Sequence, residues 1–247
     1  MKNLIIESTW IRPHLETAGE ILSDLKRKNK ETRFAWVGRD LKWNDYSVPY
    51  LFYLLGCSPE KRVNKFINIL KKQNIKSLEF KDDFNKNSIL KWAISFNGDL
   101  SKLKKFKYKN IPLGMGVASS LISQTKNKNL STQKYKNKIY KFLYSSALVF
   151  ERTVKILEIE KPKTVITFNN RLGLCLPIIL ACNKKKICVL RHDRGSNYKK
   201  YQLFKYDIND PRNFKNIYSD WKKVKNKRKI NIAKNYFNKK FDGSFLD

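Results

Sequence analysis

Apolar and polar positions alternate along this chain in blocks that predict an α/β protein. Residues 3–8 (Asn-Leu-Ile-Ile-Glu-Ser) form a short β-branched run, the pattern of a buried strand. A loop through Trp10 and Pro13 passes into a helix ending near residue 29, with Pro13 suited to its first turn. Residues 33–38 read as a second strand. Residues 50–55 are apolar enough for a strand or a buried turn. Ser58-Pro59-Glu60 is an N-cap signature opening a helix to about residue 73, and residues 75–80 give a short third strand. Residues 87–131 read as irregular helix, and 132–160 as one long helix with a broad apolar stripe.

The stretch 164–204 is the most informative. Thr164-Val165-Ile166-Thr167-Phe168 is a strand of the kind buried on both faces, and it ends in Asn169-Asn170-Arg171. Apolar residues at helical spacing over 172–183, with Pro177 as the irregularity, lead to a cationic turn at Lys184-Lys185-Lys186. Residues 187–190 are the next strand, ending in Arg191-His192-Asp193-Arg194-Gly195-Ser196-Asn197. Ligands of open α/β sheets bind outside the carboxyl ends of the strands, so both polar clusters are expected at one crevice. His14 and Glu16, after the first strand, are expected beside it. A pairing of Asp193 with Arg194 and a purely structural His14 are the alternatives. A loop over 205–215 and a final helix over 219–240 complete the chain.

Charge adds a constraint. The net charge of +32 suggests a polyanionic partner, yet the cations are 42 Lys against 11 Arg, mixed with Asn throughout rather than gathered on a stripe. That is a solvated surface more than a nucleic-acid footprint, and most aromatics lie within apolar runs, where they serve a core. The four Cys (57, 175, 182, 188) lack metal-ligand spacing, and the last three fall in predicted buried elements, so reduced packing residues are expected. No apolar run reaches the ~20 residues of a membrane span, and the expected location is cytoplasmic, with peripheral contact at the inner face of an anionic membrane. Gly114-Met115-Gly116 is not a dinucleotide fingerprint, since no third Gly follows at the required spacing; close helix packing explains it more simply.

Several of these segments carry a resemblance. Phe168-Asn169-Asn170-Arg171, then His192-Asp193-Arg194-Gly195, then Tyr201-Gln202-Leu203-Phe204 resemble the Phe-Asn-Gly-Arg, His-Glu-Arg-Gly and Tyr-Glu-Leu-Phe elements of glycosyltransferase-like proteins of bacterial capsule and surface-polysaccharide synthesis. Pro13-His14-Leu15-Glu16-Thr17 is similar to the opening of that group, and Gly114 to Ser119-Ser120 to its Gly-x-x-x-x-Ser-Ser helix start. Here Asn170 replaces the Gly, Asp193 a Glu, and Gln202 a Glu.

The resemblance covers the first half of such a protein. It implies a Rossmann-like open parallel sheet flanked by helices over residues 1–215, the acceptor-side domain of a GT-B enzyme, with residues 216–247 a terminal helix or linker toward an absent second domain. The implied reaction is sugar transfer from a nucleotide-sugar donor to a hydroxyl of a glycan or lipid-linked acceptor, without cofactor or bound metal. The resemblance implies His14 as base, oriented by Glu16 or Asp193. Arg171, Arg191 and Arg194 would neutralise acidic groups, and Asn169, Asn170 and Tyr201 would bond sugar hydroxyls, with His192 and Gly195 in the same binding set. A fragment, a split subunit, a non-catalytic saccharide-binding subunit and a basic nucleic-acid-binding protein are the alternatives; nucleic acid is the least expected partner.

Overall fold

A computed structural model describes residues 2–43, 58–194 and 201–241. The strand or turn expected over 50–55 lies outside the described residues, as do Cys57, Gly195, Ser196 and Asn197. The chain forms one six-stranded sheet in the order β3-β2-β1-β4-β5-β6. The strands are β1 (Asn3–Glu7), β2 (Thr32–Trp36), β3 (Lys76–Leu78), β4 (Thr164–Phe168), β5 (Cys188–Asp193) and β6 (Gln202–Phe204). The first five pair in parallel, and β6 runs antiparallel to β5. This is an α/β protein with a mostly parallel sheet, in the strand order of Rossmann-type folds.

Alternation along the strands assigns the two faces. Ile5, Phe34, Trp36 and Ile166 pack with Leu15, Ile21 and Leu22 of α1 (Arg12–Arg27) and with Val63 and Leu70 of α2 (Pro59–Lys72). Leu4, Ile6, Ala35, Val165 and Val189 face the other way, into a larger core. That core is closed by α3 (Lys86–Ile94), α4 (Leu100–Lys105), α5 (Leu113–Thr125), α6 (Lys136–Glu160) and α7 (Leu176–Lys184). As expected, α2 is capped by Ser58, whose hydroxyl accepts from the Lys61 amide at 3.1 Å, with Pro59 in the first turn.

Gly114 explains the Gly-x-Gly segment. A Cβ there would stand 1.9 Å from the Leu103 carbonyl oxygen, so the residue lets α5 press against α4.

Several boundaries differ from expectation for local reasons. Pro177 is no irregularity: α7 begins at Leu176, which puts Pro177 in its first turn, and residues 172–175 are a turn. The long helix starts at Lys136 rather than 132. Strand β5 continues through Asp193, because β6 gives Arg191, His192 and Asp193 a ladder partner. The expected final helix is two, α8 (Lys215–Lys223) and α9 (Asn226–Phe241), divided at Val224, whose backbone is extended; a short 3₁₀ turn (Pro211–Phe214) precedes them. Cys175 and Cys182 are buried as expected, but Cys188 is exposed; none of the three forms a disulfide among the described residues. No described helix is long and apolar enough to cross a membrane.

One buried cation ties the larger core to the sheet. Arg152 on α6 is 2% exposed. Its Nε and Nη2 donate to the two Asp82 carboxylate oxygens at 2.8 and 2.6 Å, and its Nη1 donates to the carbonyls of Val37 and Arg39. Burial alone would raise the Asp82 carboxyl; the hydrogen bonds and charges of Arg152 and Lys86 outweigh it and hold the pKa at about 2. Replacing Arg152 by Ala is expected to cost about 3–5 kcal/mol by leaving Asp82 to the exposed Lys86 alone and removing the donor to two carbonyls, read by urea unfolding. A loss under 1 kcal/mol would show the clamp to be dispensable.

Candidate functional site at the strand ends

Loops from β1 and β4 leave the sheet toward opposite faces, and the two strands part at their carboxyl ends. The paired register ends at Ile5 and Ile166, while the Phe168 amide is hydrogen-bonded to the Glu7 side chain. Glu7 is 1% exposed, at the end of an otherwise apolar strand. Its Oε1 lies 2.6 Å from Nε2 of His192, which is fully buried two strands away. Burial raises the Glu7 carboxyl above the ordinary carboxylate range, and the charge and hydrogen bond of His192 pull it part of the way back.

His14, on the first turn of α1, lies over this pair. Its ring packs against Phe168 at a tilt of 31° with centroids 3.5 Å apart, and Phe168 is in turn 5.6 Å from the His192 ring. Burial, with smaller electrostatic contributions from His192 and Arg194, lowers the His14 pKa to about 3. His14 is therefore neutral near pH 7 and a weak proton acceptor. Arg194 closes the side of the cluster. Its Nε donates to the Thr17 hydroxyl at 2.5 Å, and its Nη2 lies 2.9 Å from Glu20 on the same helix.

The Asn169-Asn170-Arg171 turn forms the opposite wall. Asn169 adopts a left-handed backbone (φ 50°), which Asn tolerates better than most residues. Its Oδ1 accepts from the amides of Asn170 and Arg171 at 2.6 and 3.0 Å. Asn169 thus shapes the turn, and Asn170 is left facing a polar setting with its Oδ1 buried and unpartnered among the described residues. The same holds for Oγ1 of Thr9, Nε1 of Trp10 and Nδ1 of His192. Native structures seldom leave buried polar atoms without partners, and others among the described residues, Ser146 Oγ and Arg191 Nε for instance, lie away from this wall. Arg171 is exposed at the rim.

Not all expected site residues join this cluster. Glu16 is exposed and held by Arg12 at 2.5 Å. Arg191 points from β5 into the opposite face and donates to the carbonyls of Val189 and Lys205 at 3.3 and 2.8 Å. Tyr201 donates to Asp24 at 2.6 Å on the flank of α1, and this bond together with burial raises its pKa to about 12. Asp193 is half-buried on β5, opposite Gln202. The residue missed from sequence is Glu7. Its signal was a single carboxylate closing an apolar strand, a costly thing to bury unless a partner waits.

Among the described residues, no three His, Cys, Asp or Glu side chains cluster in a way that would hold a metal. No protein-family model, curated protein or solved structure matches this chain.

The lowered His14 pKa links stability to pH. Below pH 6.5 the unfolded chain takes up a proton that the folded chain refuses. Stability should fall as pH drops from about 6.5 toward about 3, by up to about 1.4 kcal/mol per pH unit. Denaturation of His14→Phe across that range should show a shallower decline; parallel curves would mean that His14 protonates normally in the folded state.

Proposed function

We propose that this chain is the acceptor-side domain of a GT-B-type glycosyltransferase of bacterial surface-polysaccharide synthesis. The observation that carries the reading is the buried Glu7–His192 pair beneath His14, at the carboxyl ends of β1, β4 and β5. Its placement suits an acceptor site, and the residues around it include those of the Phe-Asn-x-Arg and His-x-Arg segments.

In the proposed reaction, an acceptor hydroxyl attacks the anomeric carbon of a nucleotide-sugar. The bond from that carbon to the diphosphate oxygen breaks, the leaving diphosphate keeps the electron pair, and the hydroxyl proton passes to the protein. A carboxylate that accepts a hydrogen bond from Nε2–H of His192 leaves Nδ1 as the nitrogen with a free lone pair, the basic one of the ring. Glu7 and His192 together are thus better suited than His14 to receive the proton. Neutral His14 and Asn170 hydrogen-bond the sugar hydroxyls, and Arg171 and Arg194 meet acidic groups, a task for which the guanidinium fork is suited.

A second reading, saccharide binding without transfer, is favoured by the complete burial of His192 and the low pKa of His14. Both readings place saccharide at the same wall. A thermal-shift screen with nucleotide-sugars, acidic oligosaccharides and short DNA at low and high salt tests that shared claim. Saccharide or nucleotide-sugar should raise the melting temperature at both salts, and Asn170→Ala should lower the apparent affinity about tenfold, the loss of one or two hydrogen bonds. Stabilisation by DNA alone, vanishing at high salt, would overturn both readings. In a form of the enzyme able to transfer, Glu7→Gln should abolish turnover with little change in saccharide binding; full turnover in that variant would remove the pair from the chemistry.

A further inference from the structure

The last two helices are built differently from the rest of the molecule. Helix α9 makes no substantial contact with any other described element, and its described side chains are almost all exposed. Its large apolar residues stand in water: Ile230 is 55% exposed, Phe237 53% and Phe241 88%. With Ala233 these three fall on one stripe at helical spacing, flanked by Lys227 and Lys234 on one side and Lys229 on the other, while the less exposed Ile232 (44%) and Tyr236 (41%) lie across the helix. On α8, Ile217, Tyr218 and Trp221 are 55%, 57% and 42% exposed, again on one stripe, with Lys222 and Lys223 in the last turn. A groove of about 480 Å³ beside Tyr218 is lined by Arg212, Lys215 and Lys222. Across residues 211–241 there are eleven Lys or Arg and a single acid, Asp220, which pairs with Lys223.

We propose that α8 and α9 are a membrane-surface anchor that lays its apolar stripes into an anionic lipid bilayer. Isolated helices of this length are marginal in water, so a 16-residue helix without a packing partner gains its stability from a surface. Charge complementarity selects that surface. Protein interfaces are depleted in Lys, whereas an amphipathic helix at a lipid headgroup layer carries apolar residues and aromatics on one face with Lys and Arg flanking them. Nucleic acid would use the cations and stack on the rings, but it has no use for Ile217, Ile230 and Ile232. The proposal stands apart from the reaction assigned to the crevice, since it uses none of its residues.

The test is cosedimentation of the full chain with vesicles of phosphatidylcholine alone and of phosphatidylcholine mixed with phosphatidylglycerol, at about 0.1 M and about 0.5 M salt. The intact protein should pellet with the mixed vesicles, keep part of that binding at the higher salt, and remain in solution with the neutral ones. The double variant Ile230→Ser/Phe237→Ser should lower partitioning at least about tenfold with an unchanged melting temperature, because neither side chain packs on the sheet. Trp221→Ser should act in the same direction. Equal partitioning of variant and parent, or complete loss of parent binding at the higher salt, would overturn the proposal in favour of plain polycation binding. A dimer that dissociates in the double variant, without vesicle binding by the parent, would assign the stripes to a second copy of the chain.

Discussion

The organising constraint of this fold is the gap between β1 and β4. Each strand is hydrogen-bonded along its first residues, but the connections beyond them leave toward opposite faces, and something must occupy the space they vacate. Here it is filled by a carboxylate, Glu7, that would be unaffordable in a core without a partner. The partner comes from β5, and the Phe168 amide between them completes the bonding. His14 then packs against the same Phe168, so the first turn of α1 and the carboxyl ends of β4 and β5 are all positioned around one polar contact at the centre of the sheet. Arg194 adds a second tie from the same strand to α1.

This arrangement also explains which cations are usable. Arg152, bonded to a carboxylate and two carbonyls, and Arg191, bonded to two carbonyls, act as internal fasteners, one for the β2 exit and one for the β5–β6 edge. Buried polar atoms that lack partners among the described residues lie on Asn170, Thr9, Trp10 and His192 at the strand ends, and also on Ser146 of α6 and on Arg191.

Much of the fold was legible because it depends on local pattern. The β-branched run at 164–168 gave a strand with the observed limits, and Ser58-Pro59 marked the start of α2. Legibility failed where a distant segment decides. Polarity at Arg191 suggested the end of β5, yet the antiparallel partner β6 lets the strand continue through charged residues. No Pro or Gly announces the break at Val224 that divides α8 from α9. Glu7 looked like the polar end of a strand, since the histidine that accounts for it is 185 positions away. His14, Asn170, His192 and Arg194 lie near the strand ends where the sequence places them, whereas Glu16 and Tyr201 pair with Arg12 and Asp24 along α1, which spacing alone did not resolve.

That separation of 185 positions has a kinetic meaning. Strand β1 leaves the ribosome early and can pair with β2 through the short α1 connection, but its other edge stays unpaired until β4 arrives, and Glu7 has no counter-group until β5 follows. For most of synthesis the nascent sheet exposes an open edge of Leu, Ile and an unmatched carboxylate. Non-local pairing of this kind is slow and leaves intermediates prone to association. Strands β4 and β5 are thus both the wall of the crevice and the cover for β1, and the Glu7–His192 contact cannot form before both are in place.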